Sequence, residues 1–322
     1  MWTYALRRLI ISVPLLIAIS FMTFGVLQLA PGNYFDQLKL NPQISKDVIE
    51  RYEKQYHLDQ PWVVQYVHWL KGIVTLDWGH SFDNDEPVLK VIQSRVWNTL
   101  LLSLCSIFFT WLFAIPIGIY CAVKQYKWGD KIFSVLSYIG LSTPNFFFAL
   151  LLLYILGSYL DILPIGGMYS GNFRSLGLLG KIFDVVKHLI IPVFVISTAS
   201  MAFLQRVMRG NMLEVLRSQY LMTARAKGLP ENRVIYRHAL RNAINPMITI
   251  FGYQLSGILS GAALTEIICS WPGIGSLMLE AVRSKDIYLV MANMLIAGVL
   301  LVLGNLIADI LLATIDPRIR YG

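Results

Sequence analysis

Charge is scarce in this chain. Only 14% of its 322 residues are Asp, Glu, Lys or Arg, against about 25% in ordinary soluble domains. Cysteine is scarcer still, with Cys105, Cys121 and Cys269 alone. Cys105 and Cys121 share one apolar run, about 24 Å apart on a helix and too far to bridge. A disulfide framework is excluded, and all three cysteines read as small apolar fillers. The five histidines, His57, His68, His80, His188 and His238, form no H-x-x-x-H pair and meet no cysteine cluster, which argues against a metal centre. No G-x-x-x-x-G-K-[ST] loop and no G-x-S-x-G elbow occurs, so neither ATP chemistry nor a hydrolytic nucleophile is offered.

What is present is oil. The chain is 56% hydrophobic with mean hydropathy +0.58, and apolar runs of membrane-crossing length recur along it. Six spans are predicted at 9–30, 98–123, 132–158, 188–206, 247–270 and 288–314. The first, behind Arg7 and Arg8, is longer than a secretory h-region and reads as a retained helix. With the N-terminus inside, Arg7, Arg8, Lys124, Lys127, Lys131, the eight basic residues between Arg206 and Arg241, Arg318 and Arg320 are cytoplasmic. They meet only Asp130, Glu214, Glu231 and Asp316 there. The outer segments hold the other 12 basic residues against 14 acids. The positive-inside rule therefore selects both termini in the cytoplasm, and explains the net charge of +8 without a nucleic-acid partner.

Two regions outside the spans are long. In residues 31–95, "SKDVIERYEKQYH" and "QPWVVQYVHWLKGIV" read as short amphipathic helices. The second has Pro61 at its start and Trp62, Tyr66, Trp69 and Leu70 at helical spacing. These aromatics, with Trp78, suit either a cap resting on the bilayer or a docking and sealing surface over a pore mouth. The other region, 207–246, carries Arg209, Arg217, Arg225, Lys227, Arg233, Arg237 and Arg241 against Glu214 and Glu231. "SQYLMTARAKG" favours a helix that Gly228 closes in the left-handed conformation. Pro230 opens the next helix, and Pro246 stands where the apolar run resumes. A loop serving only charge balance needs no such punctuation.

Span five carries "GYQLSGILSGAALTE", in which Gly252, Ser256 and Ser260 recur every fourth residue beside Gly257 and Gly261. Small residues at this spacing allow close helix packing in lipid. Gln254, Ser256, Ser260 and Thr265 also suit the lining of a weakly polar passage, and the two readings hold on different faces. Glu266 and Asp309 lie near span ends, which favours structural hydrogen bonding or a gate pairing over ion binding. Pro116, Pro144 and Pro192 are expected to kink their spans.

The chain resembles a known family. Ala224-Arg225-Ala226-Lys227-Gly228 is similar to the EAA loop of bacterial ABC-importer permeases, and "TARAKGL…RHALRNA…P" resembles their oligopeptide/dipeptide/nickel branch. Further blocks match that branch: "LDQPWVVQYVHWLKG" (58–72), "GLSTPNFF" (140–147), "EIICSWPGIG" (266–275) and "DPRIRYG" (316–322). The sequence departs from the pattern at Met222, where the glutamate that names the loop would stand, and at "APGNYF" (30–35), where many relatives carry Pro-Gly-Asp-Pro.

The resemblance implies an all-α, six-helix type I permease fold. Residues 1–30 would form the N-terminal end and first span, 31–95 the external region, and 96–322 the core with its coupling loop at 207–246. It implies that Ala224 to Gly228 form a coupling helix docked on a cytoplasmic ATPase, small alanines permitting approach and Arg225 and Lys227 supplying charged bonds. Gln254, Ser256, Ser260, Thr265 and Glu266 would flank the translocation path, and Trp62, Tyr66, Trp69 and Trp78 the external seal. The partners implied are a homologous second permease, two ATP-binding subunits carrying ATP and Mg, an external solute-binding protein and the bilayer of the bacterial inner membrane. No cofactor is expected in this chain. Peptides are the expected cargo, with nickel and glutathione as alternatives in the same machinery. An ion-driven secondary transporter, the rival class, requires buried midplane charges and inverted repeats of broken helices, which the sequence does not display.

Overall fold

The computed structural model describes residues 2–29, 32, 34–39, 46–256 and 263–315. Helices make up the framework, and among the described residues there is no β-strand beyond one isolated bridge between His80 and Pro87. Two compact units share the chain. The first takes the described residues within 1–98 and 273–303, the second those within 99–272 and 304–322.

In the first unit, helix α1 (Trp2–Leu29) is followed by the short α2 (Tyr34–Leu38) and α3 (Lys46–Gln55). Then comes α4 (Trp62–Val74), which starts from Pro61. Proline suits that position because its fixed φ is pre-set for the turn and its missing N–H is not needed there. Tyr66 and Trp69 of α4 are buried against Phe24 of α1 and Met291, and the Tyr66 hydroxyl shares a 2.9 Å hydrogen bond with that of Ser20. The first residues of α5 (Val88–Val123) form a second apolar cluster with later helices of this unit, described below.

The second unit contains the rest of α5, then α6 (Trp128–Ser142) and α7 (Asn145–Leu152), the latter continued by π-helical turns over Leu153–Tyr159. The single span expected over 132–158 is in fact bent by 105° between α6 and α7. Thr143 adopts an extended conformation, φ −85° and ψ 120°, as the residue before a proline tends to, and Pro144 then starts α7. The proline breaks the helix here instead of kinking it. At Pro116 and Pro192 the helices continue through the proline.

Helix α8 (Leu178–Leu216) is the spine of this unit. Its 39 residues extend about 58 Å, roughly twice a hydrocarbon core. The span expected at 188–206 is therefore only the middle of a helix whose polar end, from Gln205 to Arg217, continues past it. Helix α8 packs on α5 through Leu102, Leu189 and Val193, with Trp271 fully buried among them. At Gly118 the approach is so close that a Cβ would stand 2.7 Å from that of Met208, and only glycine fits.

After α8 come α9 (Gln219–Ala226), α10 (Glu231–Arg233), π-helical turns over Val234–Ala239, α11 (Leu240–Ala243), α12 (Asn245–Ser256) and α13 (Ala263–Ile268). The expected fifth span corresponds to α12 and α13. Residues 257–262, with Gly257, Ser260 and Gly261, lie outside the described residues. The chain ends in α14 (Ile274–Ser284) and α15 (Ile287–Ile315), and the 316–322 motif also lies outside them. Val88, Val91 and Ile92 of α5 pack on Leu277, Ala281, Leu289 and Val290 of α14 and α15 within the first unit. Among the described residues, α1, α5, α8 and α15 are long and apolar enough to cross a membrane, and the bent α6–α7 pair makes a fifth if it is one span.

Candidate functional site

The 207–246 segment folds as its glycine and prolines predict. Helix α9 closes with Lys227 as its C-cap, and Gly228 follows in the left-handed region at φ 75°. The Gly228 N–H donates to the Arg225 carbonyl at 2.9 Å and the Leu229 N–H to the Ala224 carbonyl at 3.4 Å. This pair of bonds is a Schellman closure, in which two otherwise orphaned carbonyls are satisfied by a reversal of the chain. Pro230 then begins α10. Across the corner the Arg225 guanidinium grips both oxygens of Glu231, Nε to Oε2 at 3.1 Å and Nη2 to Oε1 at 2.8 Å. That fork holds the Glu231 carboxyl below its ordinary value because it favours the charged form.

Beneath the corner lies a fully apolar floor. Leu221 of α9, Val234, Ile235, Ala239 and Ala243 close over Leu204, Met208 and Met212 of α8, and Ala224 and Leu229 pack against them. Two hydrogen bonds from side-chain amides tie the edges: Asn242 Nδ2 donates to the Tyr220 hydroxyl at 2.7 Å, and Asn211 Nδ2 to the Ala243 carbonyl at 3.2 Å. The segment is thus a rigid bracket rooted in the end of α8.

The residues Ala224 to Gly228 differ in their surroundings. Ala224 turns partly toward the apolar floor, and Arg225 is committed to Glu231. The outward face consists of Met222, Thr223, Ala226 and Lys227, all exposed. Met222 and Ala226 are one helical turn apart and share a side. In the sequence alone Met222 stands out only as the position where the glutamate of the family pattern is missing. Its 57% exposure, unusual for a methionine beside an apolar core, is the signal.

Of the residues assigned to the path, the side chains of Gln254, Thr265 and Glu266 are described. The Gln254 side-chain Oε1 accepts from the Trp111 indole N–H at 2.7 Å. Thr265 and Glu266 are buried in the second unit, Glu266 completely, where the Thr99 hydroxyl donates to Glu266 Oε1 at 2.6 Å. Ser256 ends α12, and Ser260 lies outside the described residues.

The aromatics expected on the outer side also divide. Tyr66 and Trp69, 5% and 4% exposed, are core residues of the first unit. One face of α4 is spent on α1 and Met291, because a short helix with an apolar stripe buries it where a neighbour is available. Trp62, 40% exposed, remains at the surface, and Trp78 is half-buried. A tie that spacing could not reveal lies nearby. The carboxylate of Asp286 accepts from the Ser81 hydroxyl at 2.6 Å, the Phe82 N–H at 2.7 Å and the Leu289 N–H at 3.1 Å, pinning the 81–83 turn to the start of α15.

Comparison with known proteins follows the same lines. The family described as binding-protein-dependent transport system inner membrane component matches residues 114–321, and the N-terminal part of that component matches residues 1–105. The chain is 42% identical over 322 residues to the oligopeptide transport system permease protein AppB of Bacillus subtilis, with 100% of both chains covered. It is 33% identical over 337 residues to the dipeptide transport system permease protein DppB of Escherichia coli K12, covering 100% of this chain and 99% of that one. Among solved structures it resembles a chain of the MetNI methionine ABC transporter in inward-facing conformations. The TM-score is 0.55 at 16% identity, covering 72% of this chain and 99% of the other. At that identity the likeness is one of fold.

Proposed function

The chain belongs to the family of binding-protein-dependent transport system inner membrane components, and from that premise we propose that it carries peptides through the membrane under the control of its 207–246 bracket. It is a permease subunit of an ABC importer in the inner membrane, and ATP hydrolysis lies in partner subunits. Its cargo is an oligopeptide or dipeptide, the class named for relatives 33–42% identical over their full length. It forms the path with a homologous permease, is coupled to two cytoplasmic ATPases that bind ATP and Mg on their own residues, and receives its cargo from an external solute-binding protein. Both termini face the cytoplasm, on the strength of the basic residues gathered there.

The observation that carries the coupling role is the outward face of α9. A helix held stiffly from behind by an apolar floor, closed by a Schellman turn and braced by Arg225–Glu231 presents Met222, Ala226 and Lys227 to a partner. Closure of the ATPases on ATP draws two such brackets together and opens the path outward, and hydrolysis resets them. The test is reconstitution with the ATPases and binding protein in vesicles, followed by labelled peptide uptake. Ala226→Trp adds bulk to an exposed face and is expected to leave the protein inserted while uncoupling uptake from hydrolysis. Uptake per ATP equal to wild type in a well-inserted Ala226→Trp protein would refute the assignment of this face.

A further inference from the structure

Arg209, on the polar end of α8, reaches Asp130 in the first turn of α6. Nε lies 2.7 Å from Oδ1 and Nη2 2.8 Å from Oδ2. The same carboxylate accepts from the Tyr126 N–H at 2.9 Å, and its side chain is only 4% exposed. An acid in a first helical turn also faces the positive end of the helix dipole. A shielded ion pair adds little net stability over well-packed apolar residues of similar volume, but losing one partner strands a charge. Its particular contribution is a single allowed register, because a two-pronged fork tolerates no sliding.

The same seam continues along both helices. The Ser137 hydroxyl donates to the Gln205 amide oxygen, the Arg206 guanidinium lies 4.7 Å from the Tyr138 ring centre, and Gly140 lets Thr198 approach so closely that a Cβ would meet its methyl at 3.0 Å. On α8, Arg209 stands between Met208 and Met212, both of which form the floor beneath α9. At its far end α6 stops at Thr143, where the 105° bend to α7 begins. The clamp therefore joins the root of the bracket to the helix that ends in the bend.

We infer that Asp130 and Arg209 are positioning residues that make α6 move as one body with the 207–246 bracket, so that a displacement of α9 reaches the bend at Thr143–Pro144. This inference rests on the coupling reading of α9. Atoms of neither residue need touch cargo or nucleotide for the clamp to act.

The test uses the complete transporter in vesicles. Spin labels are placed on cysteines replacing Trp128 and Asn232, both exposed and the second on the bracket but off the outward face of α9, with Cys105, Cys121 and Cys269 changed to Ala. With the clamp intact, the distance between labels stays the same in the nucleotide-free and ATP-bound states. In Arg209→Gln and in Asp130→Asn, that distance differs between the two states, and peptide imported per ATP falls about tenfold, a typical size for a coupling lost between sites. A label distance that changes through the cycle with the clamp intact overturns the inference, and this measurement needs neither variant to fold. So does unchanged peptide per ATP in Asp130→Asn. Ala226→Trp in the same assay separates the two claims. If it uncouples and Asp130→Asn does not, the clamp is wrong and the coupling reading stands; if neither uncouples, both fall.

Discussion

Arg225 and Glu231 meet across the corner at Gly228, the guanidinium fork bracing two helices that point in different directions. They are six residues apart, a spacing that no single helix would bring together. The pair is half-exposed, at 38% and 55% of its side-chain surface, so its contribution is that of a surface ion pair, about 0.2–1 kcal/mol.

Its pH dependence has a definite sign. The folded-state value of Glu231 is depressed by Arg225, so the stabilisation is present above the unfolded value of 4.5 and is lost as pH falls through the folded value. The protection of the Gly228, Leu229 and Glu231 amides, taken relative to their intrinsic exchange rate at each pH, is expected to fall over that acidic window in wild type. In Glu231→Gln the same amides should already exchange faster at neutral pH and show no such step. An unchanged protection profile in the variant would remove the brace from the account.

Gly228 supplies a conformation that side chains disfavour. Gly228→Ala is expected to cost about 1 kcal/mol locally, read as faster exchange of the Leu229 amide with the rest of the chain unaffected. Gly228→Asn should cost less, since asparagine tolerates the left-handed region better. Equal behaviour of both variants and wild type would mean that the Schellman turn does not limit the bracket's rigidity.

Trp69 and Trp62 separate burial from docking. Trp69→Ala empties a core position and is expected to destabilise by about 3–5 kcal/mol, seen as lost yield of inserted protein. Trp62→Ala should leave yield near wild type, because that side chain is 40% exposed. Tyr66→Phe, which drops the bond to Ser20, should cost about 1 kcal/mol. Normal yield of Trp69→Ala would return that residue to the surface.

Asp286 holds the 81–83 turn. Asp286→Ala strands the Ser81 hydroxyl and the N–H groups of Phe82 and Leu289, and a buried donor left unsatisfied costs about 1–3 kcal/mol. Protease sensitivity of the 80–86 segment should rise in intact cells, and a resistant variant would contradict the tie.

Topology is open to direct labelling. Single cysteines at Asp47 and Arg233, both exposed, should react with a membrane-impermeant reagent from opposite sides. Labelling of both from outside would defeat the proposed orientation.

Composition and local backbone chemistry were readable in the chain itself. A low charge fraction and long apolar runs can only be satisfied by helices in lipid, where each backbone group must be bonded within its own segment. The corner at Gly228 and Pro230, and the start of α4 at Pro61, were legible because glycine and proline act on their own φ and ψ. What the aromatics of α4 face was not legible: Tyr66 and Trp69 suit lipid, a partner or a core equally, and only the presence of Phe24 and Met291 beside them decided it. The same holds at Thr143–Pro144, where the proline was visible but not whether the helix would kink or break by 105°. Arg225 looked like a free cation for a partner until Glu231 came round the corner, and Asp130 and Arg209 lie 79 positions apart. Side-chain chemistry states what a residue can do, but which neighbour it meets depends on helices distant in sequence, and that choice belonged to the tertiary structure alone.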